Sequence, residues 1–274
     1  MYVAMGRARA HARGDVRGYS DPFALNLLPP QHRAAVEHDI RGDWPRGREL
    51  LLRLIARSAE RLMGPRTAEI DEGLRELSSG VQLVLLGAGL DARAYRMPEL
   101  SESIVFEVDH PATQAYKRAQ TTGLRPAARE VRYVPVDFGR DRLGEALEQA
   151  GHLVDVPTAW VFEGVISYLR PRDVEASLDV IAARSAPRSR LFATYNEPTR
   201  LRPVVTWLMR RAREPARAVF SPREMRLLLE GRGFVVRSDR DGFERAVRWN
   251  PSPSPRWRSW FRFHHVVIAD FVGG

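Results

Sequence analysis

Apolar positions in the first quarter of the chain recur at helical spacing, and from residue 81 onward they gather into short runs separated by longer amphipathic stretches. Leu50, Leu51, Leu54, Ile55, Ala59 and Leu62 share one face, so a helix is predicted over 47–63, stopped by Gly64-Pro65, with a second over 66–78. The run 81–86 is apolar and followed by glycine, the pattern of a strand buried on both faces. Further strands are predicted at 104–108, 131–136, 158–166, 190–195 and 234–237, and a last one at 263–271. Between them, helices are predicted over 111–121, where Pro111 suits the first turn, over 141–150 and over 171–184. Ser221-Pro222-Arg223-Glu224 combines an N-cap serine, proline at the first helical position and glutamate three residues after the cap, so another helix begins there and stops at Gly231 or Gly233.

Strands alternating with helices imply an α/β fold, Rossmann-like, with a mostly parallel seven-stranded sheet covered on both faces. No helix is predicted between the last two strands, which are therefore expected to pair antiparallel. Residues 1–18, small and arginine-rich without a sustained period, read as a flexible arm. Residues 19–80 read as a helical cap at the start of a single domain spanning 19–274. The segment 196–220 breaks the β-α rhythm and reads as a lid, with Val204, Val205, Trp207, Leu208 and Met209 as its apolar patch. Ligands of such sheets bind beyond the carboxyl ends of the strands where the strand order reverses, and this brings Gly87, Asp109, Asp137 and Glu163 to one edge.

Composition narrows the picture modestly. A chain of 274 residues that is 44% hydrophobic can bury one sizeable core, which excludes wholesale disorder. With no cysteine, disulfides, thiolate metal sites and a cysteine nucleophile are excluded, and no metal site is expected. No apolar stretch reaches the roughly 20 residues needed to cross a bilayer, so a soluble, cytoplasmic protein without a membrane partner is expected. The net charge is +9, but of 43 basic residues only Lys117 is lysine and the arginines are scattered rather than gathered into a stripe. That distribution argues against a nucleic-acid partner and leaves room for an anionic small molecule.

The chemistry begins at Gly87-Ala88-Gly89-Leu90-Asp91-Ala92, a G-x-G-x-x-A turn between a strand and a helix, with Asp109 at the end of the next strand. The glycines allow a tight bend and close approach of the backbone to a ligand, and the strand-end acid accepts hydrogen bonds from ribose hydroxyls. A nicotinamide dinucleotide and S-adenosylmethionine share that ribose. Asp91 leans toward the second, because a carboxylate at the helix start repels a pyrophosphate and welcomes an ammonium or sulfonium. Asp91 is equally suited to cap the helix.

At LVLLGAGLDARAYR (83–96), VFEVDHP (105–111) and WVFEGVISYL (160–169) the sequence resembles the leucine carboxyl methyltransferase family, whose bacterial relatives include enzymes acting on natural products. PRTAEID (65–71) and VPVDFGRD (134–141) extend the resemblance, which covers roughly 19–270. It implies a class I O-methyltransferase fold using S-adenosylmethionine and releasing S-adenosylhomocysteine. By the same resemblance Arg66 would pair with the donor's carboxylate, the turn Gly87, Ala88 and Gly89 with Asp91 would contact its methionine part, and Glu163 would hold its ammonium. Asp109 would hold the ribose, with Glu107 as competitor on the same face of the strand, and Asp137 and Phe138 would meet the adenine, against which His110 packs. The family's arginine after the adenine-site acid is displaced here to Arg140, which would clamp an acceptor carboxylate.

Methyl transfer from a sulfonium chiefly requires alignment and exclusion of water. A carboxylate acceptor is already ionised, whereas a phenol with a pKa near 10 calls for a base, and no histidine occupies a motif position. The expected reaction is therefore O-methylation of a carboxylate, or of a phenolic hydroxyl, on a small acceptor of the natural-product or polyketide kind. Tyr168 and Tyr195, at the ends of strands four and five, could line its pocket, or serve as core aromatics with satisfied hydroxyls. A protein C-terminal carboxylate is the alternative acceptor, and an NAD(P)-binding protein the competing class. The oligomeric state stays open.

Overall fold

The computed structural model describes residues 2–42, 49–77, 79–198, 217–249 and 262–273. Its centre is two parallel strands, β1 (Gln82–Leu86) and β4 (Thr158–Phe162), in which every residue is buried. On β1, Val84 and Leu86 face one core with Trp160 and Phe162, while Leu83 and Leu85 face a second core with Ala159 and Val161. This two-sided burial is why both segments read as continuous apolar runs. β2 (Ile104–Asp109) and β3 (Glu130–Pro135) extend the sheet on one side and β5 (Arg190–Asn196) on the other, all parallel. β7 (His264–Phe271) lies antiparallel between β5 and β6 (Phe234–Arg240), giving the order β3-β2-β1-β4-β5-β7-β6. The order reverses between β1 and β4, which opens a crevice beyond their carboxyl ends.

The helices also follow from local sequence, with three departures from expectation. Residues 2–13 are not a loose arm: they form α1 (Tyr2–Arg13), with Ala4, Met5, Ala8 and Ala10 buried. Small side chains give little hydrophobic contrast along the sequence but permit close packing against the long helix at 49–75. α2 (Pro30–Arg41) is tied to α1 by Arg9 and Arg13, whose guanidinium nitrogens lie 2.9 and 3.4 Å from the Asp39 carboxylate.

The second departure is α3 (Glu49–Arg75), one helix of 27 residues running through Pro65 where two were expected. A Cβ placed on Gly64 would lie 2.8 Å from Val16 Cγ2 and 2.9 Å from Ala10 Cβ, so this glycine is the contact point of α1 and its surroundings rather than a stop. Burial of Leu62, Met63, Ala68, Ile70 and Leu74 outweighs a proline penalty of about 3 kcal/mol.

The short α4 (Arg93–Arg96) follows the glycine turn, and α5 (Pro111–Gln120), α6 (Leu143–Gln149) and α7 (Pro171–Ala183) cover the sheet. β4 ends at Phe162, four residues short of the predicted strand, because Gly164 turns the chain at φ 72° into a 3-10 turn over Ile166–Tyr168. α8 (Pro222–Glu230) starts with the predicted capping box, Ser221 and Glu224 each accepting the other's backbone N–H.

The third departure is α9 (Gly242–Trp249), a helix between the last two strands. Asp241 Oδ1 accepts from Phe243 N and Glu244 N at 2.8 and 2.9 Å, and Glu244 Oε2 accepts from Asp241 N, an aspartate version of the same box. Of the predicted lid, residues 199–216, its apolar patch included, lie outside the described residues. At its edges Arg217 N donates to Ser167 O and Phe220 N to Asn196 O. Among the described residues no helix is long and apolar enough to cross a membrane, and no group of His, Asp or Glu side chains could hold a metal ion.

Candidate functional site

The glycine turn is fastened to β2 from below. Gly87 N and Ala88 N both donate to Val108 O, at 2.8 and 3.0 Å, and Gly89 N donates to Asp109 Oδ2 at 2.5 Å. Gly87 has φ 68°, and a Cβ there would meet Val165 Cγ2 at 2.2 Å, so both the conformation and the close approach of the β4 loop require glycine.

Two cavities flank this turn and share Gly87 and Tyr168. The first, of about 480 Å³, is lined by Ala88, Gly89, Asp91, Glu163 and Gly164, with Val3, Ala4 and Arg7 of α1 as its outer wall. The second, of about 390 Å³, is lined by Asp109, His110, Asp137 and Phe138 and by Arg170, Arg172 and Arg217.

The first cavity is backed by a dense charge cluster. Glu163 Oε1 accepts from Arg66 Nε at 2.9 Å and Thr67 Oγ1 at 3.3 Å, while Oε2 accepts from Arg93 Nη1 at 2.8 Å. Asp91 Oδ2 pairs with that same Arg93 nitrogen at 2.5 Å and with Arg7 Nη1 at 3.2 Å, and Oδ1 accepts from Arg93 N. Arg93 Nε donates to Asp71 at 2.7 Å. Burial alone would raise the Glu163 carboxyl, but the charges of Arg93, Arg66 and Arg7 override it and hold it down to about 2. Asp91 is likewise held low by Arg93 and Arg7 against its own burial. Both acids therefore stay ionised at neutral pH.

Arg66 lies directly behind Gly164, and its Nη2 is buried with no hydrogen-bond partner among the described residues. An unsatisfied guanidinium N–H at a cavity wall is a vacant donor. Ionised carboxylates beside arginines with spare donors suit a zwitterionic amino-acid end, whose ammonium and carboxylate would each find an opposite charge. At the second cavity, Asp109 Oδ1 accepts from His110 N at 2.6 Å and Asp137 Oδ1 from Gly139 N at 3.0 Å, and Phe138 stacks on Phe162 with centroids 6.2 Å apart. Strand-end acids next to an aromatic face suit a nucleoside.

Most of the expected residues thus converge: Gly87, Ala88, Gly89, Asp91, Glu163 and Tyr168 at the first cavity, with Arg66 behind it, and Asp109, His110, Asp137 and Phe138 at the second. Glu107 is withdrawn from both. It is 1% exposed and its Oε1 pairs with Lys117 Nζ at 2.7 Å, so Asp109 is the acid of β2 that faces a cavity. His110 caps α5, its Nδ1 accepting from Ala112 N at 3.2 Å.

Two acceptor-side expectations fail. The Arg140 side chain is 86% exposed and lines neither cavity, because the turn in which Arg140 N and Asp141 N donate to Asp137 O carries it outward. Tyr195 shares a face of β5 with Leu191 and Ala193, which turns it into the core. There it stacks on His265 with centroids 4.9 Å apart and donates to Asp239 Oδ2 at 2.5 Å.

Arg7 was missed because it sits in the segment read as an arm, and Arg170, Arg172 and Arg217 because a chain so rich in arginine hides any single one.

The profile of the leucine carboxyl methyltransferase family matches residues 1–182. A provisionally named S-adenosyl-L-methionine-dependent methyltransferase of Mycobacterium sp. strain JLS is 42% identical over 138 residues, covering 49% of this chain and 45% of the relative. Another, from Mycolicibacterium paratuberculosis, is 37% identical over 202 residues, covering 70% and 63%. The chain therefore spans less than two-thirds of the length of these curated relatives. Among solved structures, a provisionally named methyltransferase from Thermobifida fusca YX superposes with TM-score 0.59 at 17% identity, covering 98% of this chain and 94% of that one. The [4+2]-cyclase SpnF gives TM-score 0.51 at 14% identity, covering 77% and 82%. At such identities the likeness concerns the fold alone, and one fold hosts many reactions.

Proposed function

The chain belongs to the leucine carboxyl methyltransferase family, and from that premise we propose that it transfers a methyl group from S-adenosylmethionine to an oxygen of a small anionic acceptor. The observation that carries this reading is the pair of cavities joined at Gly87 and Tyr168, one charged to suit an amino acid and the other built to suit a nucleoside. In this reading Arg66 and Arg7 hold the donor's carboxylate, Glu163 and Asp91 its ammonium, Asp109 its ribose, and Asp137 with Phe138 its adenine. When bound, the donor supplies a methyl group activated on a sulfonium. The protein aligns it with the acceptor at the junction beside Tyr168 and excludes water. A nicotinamide dinucleotide fits less well, since Asp91 and Glu163 would face its pyrophosphate.

A carboxylate acceptor, as in natural-product or polyketide tailoring, is favoured over a hydroxyl by the histidines. His110, the histidine that lines a cavity among the described residues, spends Nδ1 on a helix cap. His264, close to Arg66, is kept neutral by burial and by the charges of Arg66 and Arg245, and its Nε2 lies 3.4 Å from Arg66 Nη1. Neither is placed as a general base. Arg170, Arg172 and Arg217 on the rim of the second cavity support an anionic acceptor in place of the clamp expected from Arg140.

The assignment of ends is tested by Glu163→Gln in a variant whose circular dichroism matches the wild type. S-adenosylhomocysteine affinity is expected to drop about tenfold, as for loss of a charged hydrogen bond, with adenosine affinity unchanged. Equal losses for both ligands would contradict the assignment.

A further inference from the structure

Lys117 is the single lysine among 43 basic residues, and it is buried at 1% exposure inside a protein whose other side-chain cations are all arginine. Its ammonium stands between two partners: Glu107 Oε1 of β2, at 2.7 Å, and the backbone carbonyl of Asp91, to which it donates a hydrogen bond. A compact ammonium with three donors fits an enclosed gap between a carboxylate and a carbonyl, whereas a planar guanidinium spreads its donors over a larger, rigid fork. At this one position the arginine bias of the chain is broken where the geometry calls for an amine.

The carbonyl it holds is the far end of the glycine turn. The near end is held by Val108 O, the middle by Asp109 Oδ2, and Asp91 N closes back onto Ala88 O at 2.8 Å. α5, which carries Lys117, is itself docked on the sheet through Gln114 Nε2, which donates to Glu107 O and Val134 O at 2.7 and 2.9 Å. The Asp91 side chain beyond the pinned carbonyl pairs with Arg7 and Arg93 at the wall of the first cavity.

We propose that Lys117, held by Glu107, is a positioning residue for the donor site: it pins the Asp91 carbonyl and thereby fixes the glycine turn and the Asp91 carboxylate that orders the arginines of the amino-acid end. This rests on the methyl-donor reading above. It also assigns Glu107 the task of holding Lys117, not of binding ribose.

Because this chain has one lysine, the chain labelled with 15N-lysine gives one side-chain ammonium resonance. That resonance is expected to be protected from solvent exchange and to shift when S-adenosylhomocysteine saturates the site. In parallel, the double variant E107Q/K117M, which removes both charges together, is expected to bind S-adenosylhomocysteine about tenfold more weakly while melting within a few degrees of wild type. A resonance that does not move at saturation, or a folded double variant with wild-type affinity, overturns the proposal. Should the double variant not fold, the resonance decides alone. If calorimetry shows that wild-type protein does not bind S-adenosylhomocysteine at all, the donor reading falls and this proposal with it, whereas binding with an unmoved resonance removes only the role of Lys117.

Discussion

Asp109 and Glu107 occupy the same face of one strand two residues apart, and their fates diverge because of what each meets. Glu107 points into the closed space under α5 and takes Lys117, while Asp109, at the strand end, meets the backbone N–H of Gly89 and a cavity. Alternation along a strand gives the shared direction, and only the position along it separates the roles. Asp109→Ala is therefore expected to weaken S-adenosylhomocysteine binding at least tenfold in titration calorimetry. Loss of a hydrogen bond to a charged group costs about 1.5–3 kcal/mol, and the tether of the glycine turn is lost with it. Affinity within twofold of wild type would refute the assignment of Asp109. Asp109 and Asp137 were legible in the sequence because they fall at or just beyond a strand end, whereas Glu163 lay inside the predicted strand 158–166 and was marked by the family resemblance. The orientation of Arg140 and Tyr195 was not legible, since the turn over Asp137–Asp141 and a face of the sheet decide them.

Among the elements, the crossing of α1 over α3 was the least legible, because alanine and glycine carry no hydrophobic period and Pro65 reads as a stop. Yet this contact brings Arg7 to the first cavity, so one wall of the proposed donor site is a helix that composition disguises. Gly64→Leu should separate the two helices, since even a Cβ would lie within 3 Å of Val16 and Ala10. Overpacking of this kind costs about 1–3 kcal/mol, and at about 2–4 °C per kcal/mol for a chain approaching this size the melting temperature should fall by several degrees. An unchanged melting temperature would mean that the crossing contributes little. The strands, in contrast, were readable to within a few residues, because β1 and β4 are buried on both faces and β2 and β5 flank them. The largest shifts are at β4, which Gly164 turns off four residues early, and at β6, which runs three residues past its predicted end to Arg240 beside β7.

For the whole molecule, stability should depend on pH through a histidine remote from the site. His152, near the amino ends of β1 and β4, lies 3.1 Å from Thr158 Oγ1 through Nε2, and its Nδ1 accepts from Arg184 Nε at 3.3 Å. Burial first and the Arg184 charge second pull it from 6.5 down to about 4. The unfolded chain therefore takes up this proton before the folded one does. The stability it confers is full above pH 6.5 and is lost as the pH falls from there toward 4. Urea unfolding at pH 7 and pH 4.5 should show a larger loss of stability for wild type than for His152→Gln, whereas equal losses would contradict the linkage. Glu163 and Asp91, held low by their arginines, stay ionised throughout this window.

The central claim is that the joined cavities hold a sulfonium donor rather than a dinucleotide, and titration calorimetry of the wild-type protein with S-adenosylhomocysteine and, separately, with NAD tests it most directly. The expected result is one S-adenosylhomocysteine per chain and no heat from NAD, with a melting temperature raised by the first ligand alone, since about 100-fold excess over Kd adds about 2.7 kcal/mol of stability. Binding of NAD without binding of S-adenosylhomocysteine would contradict it.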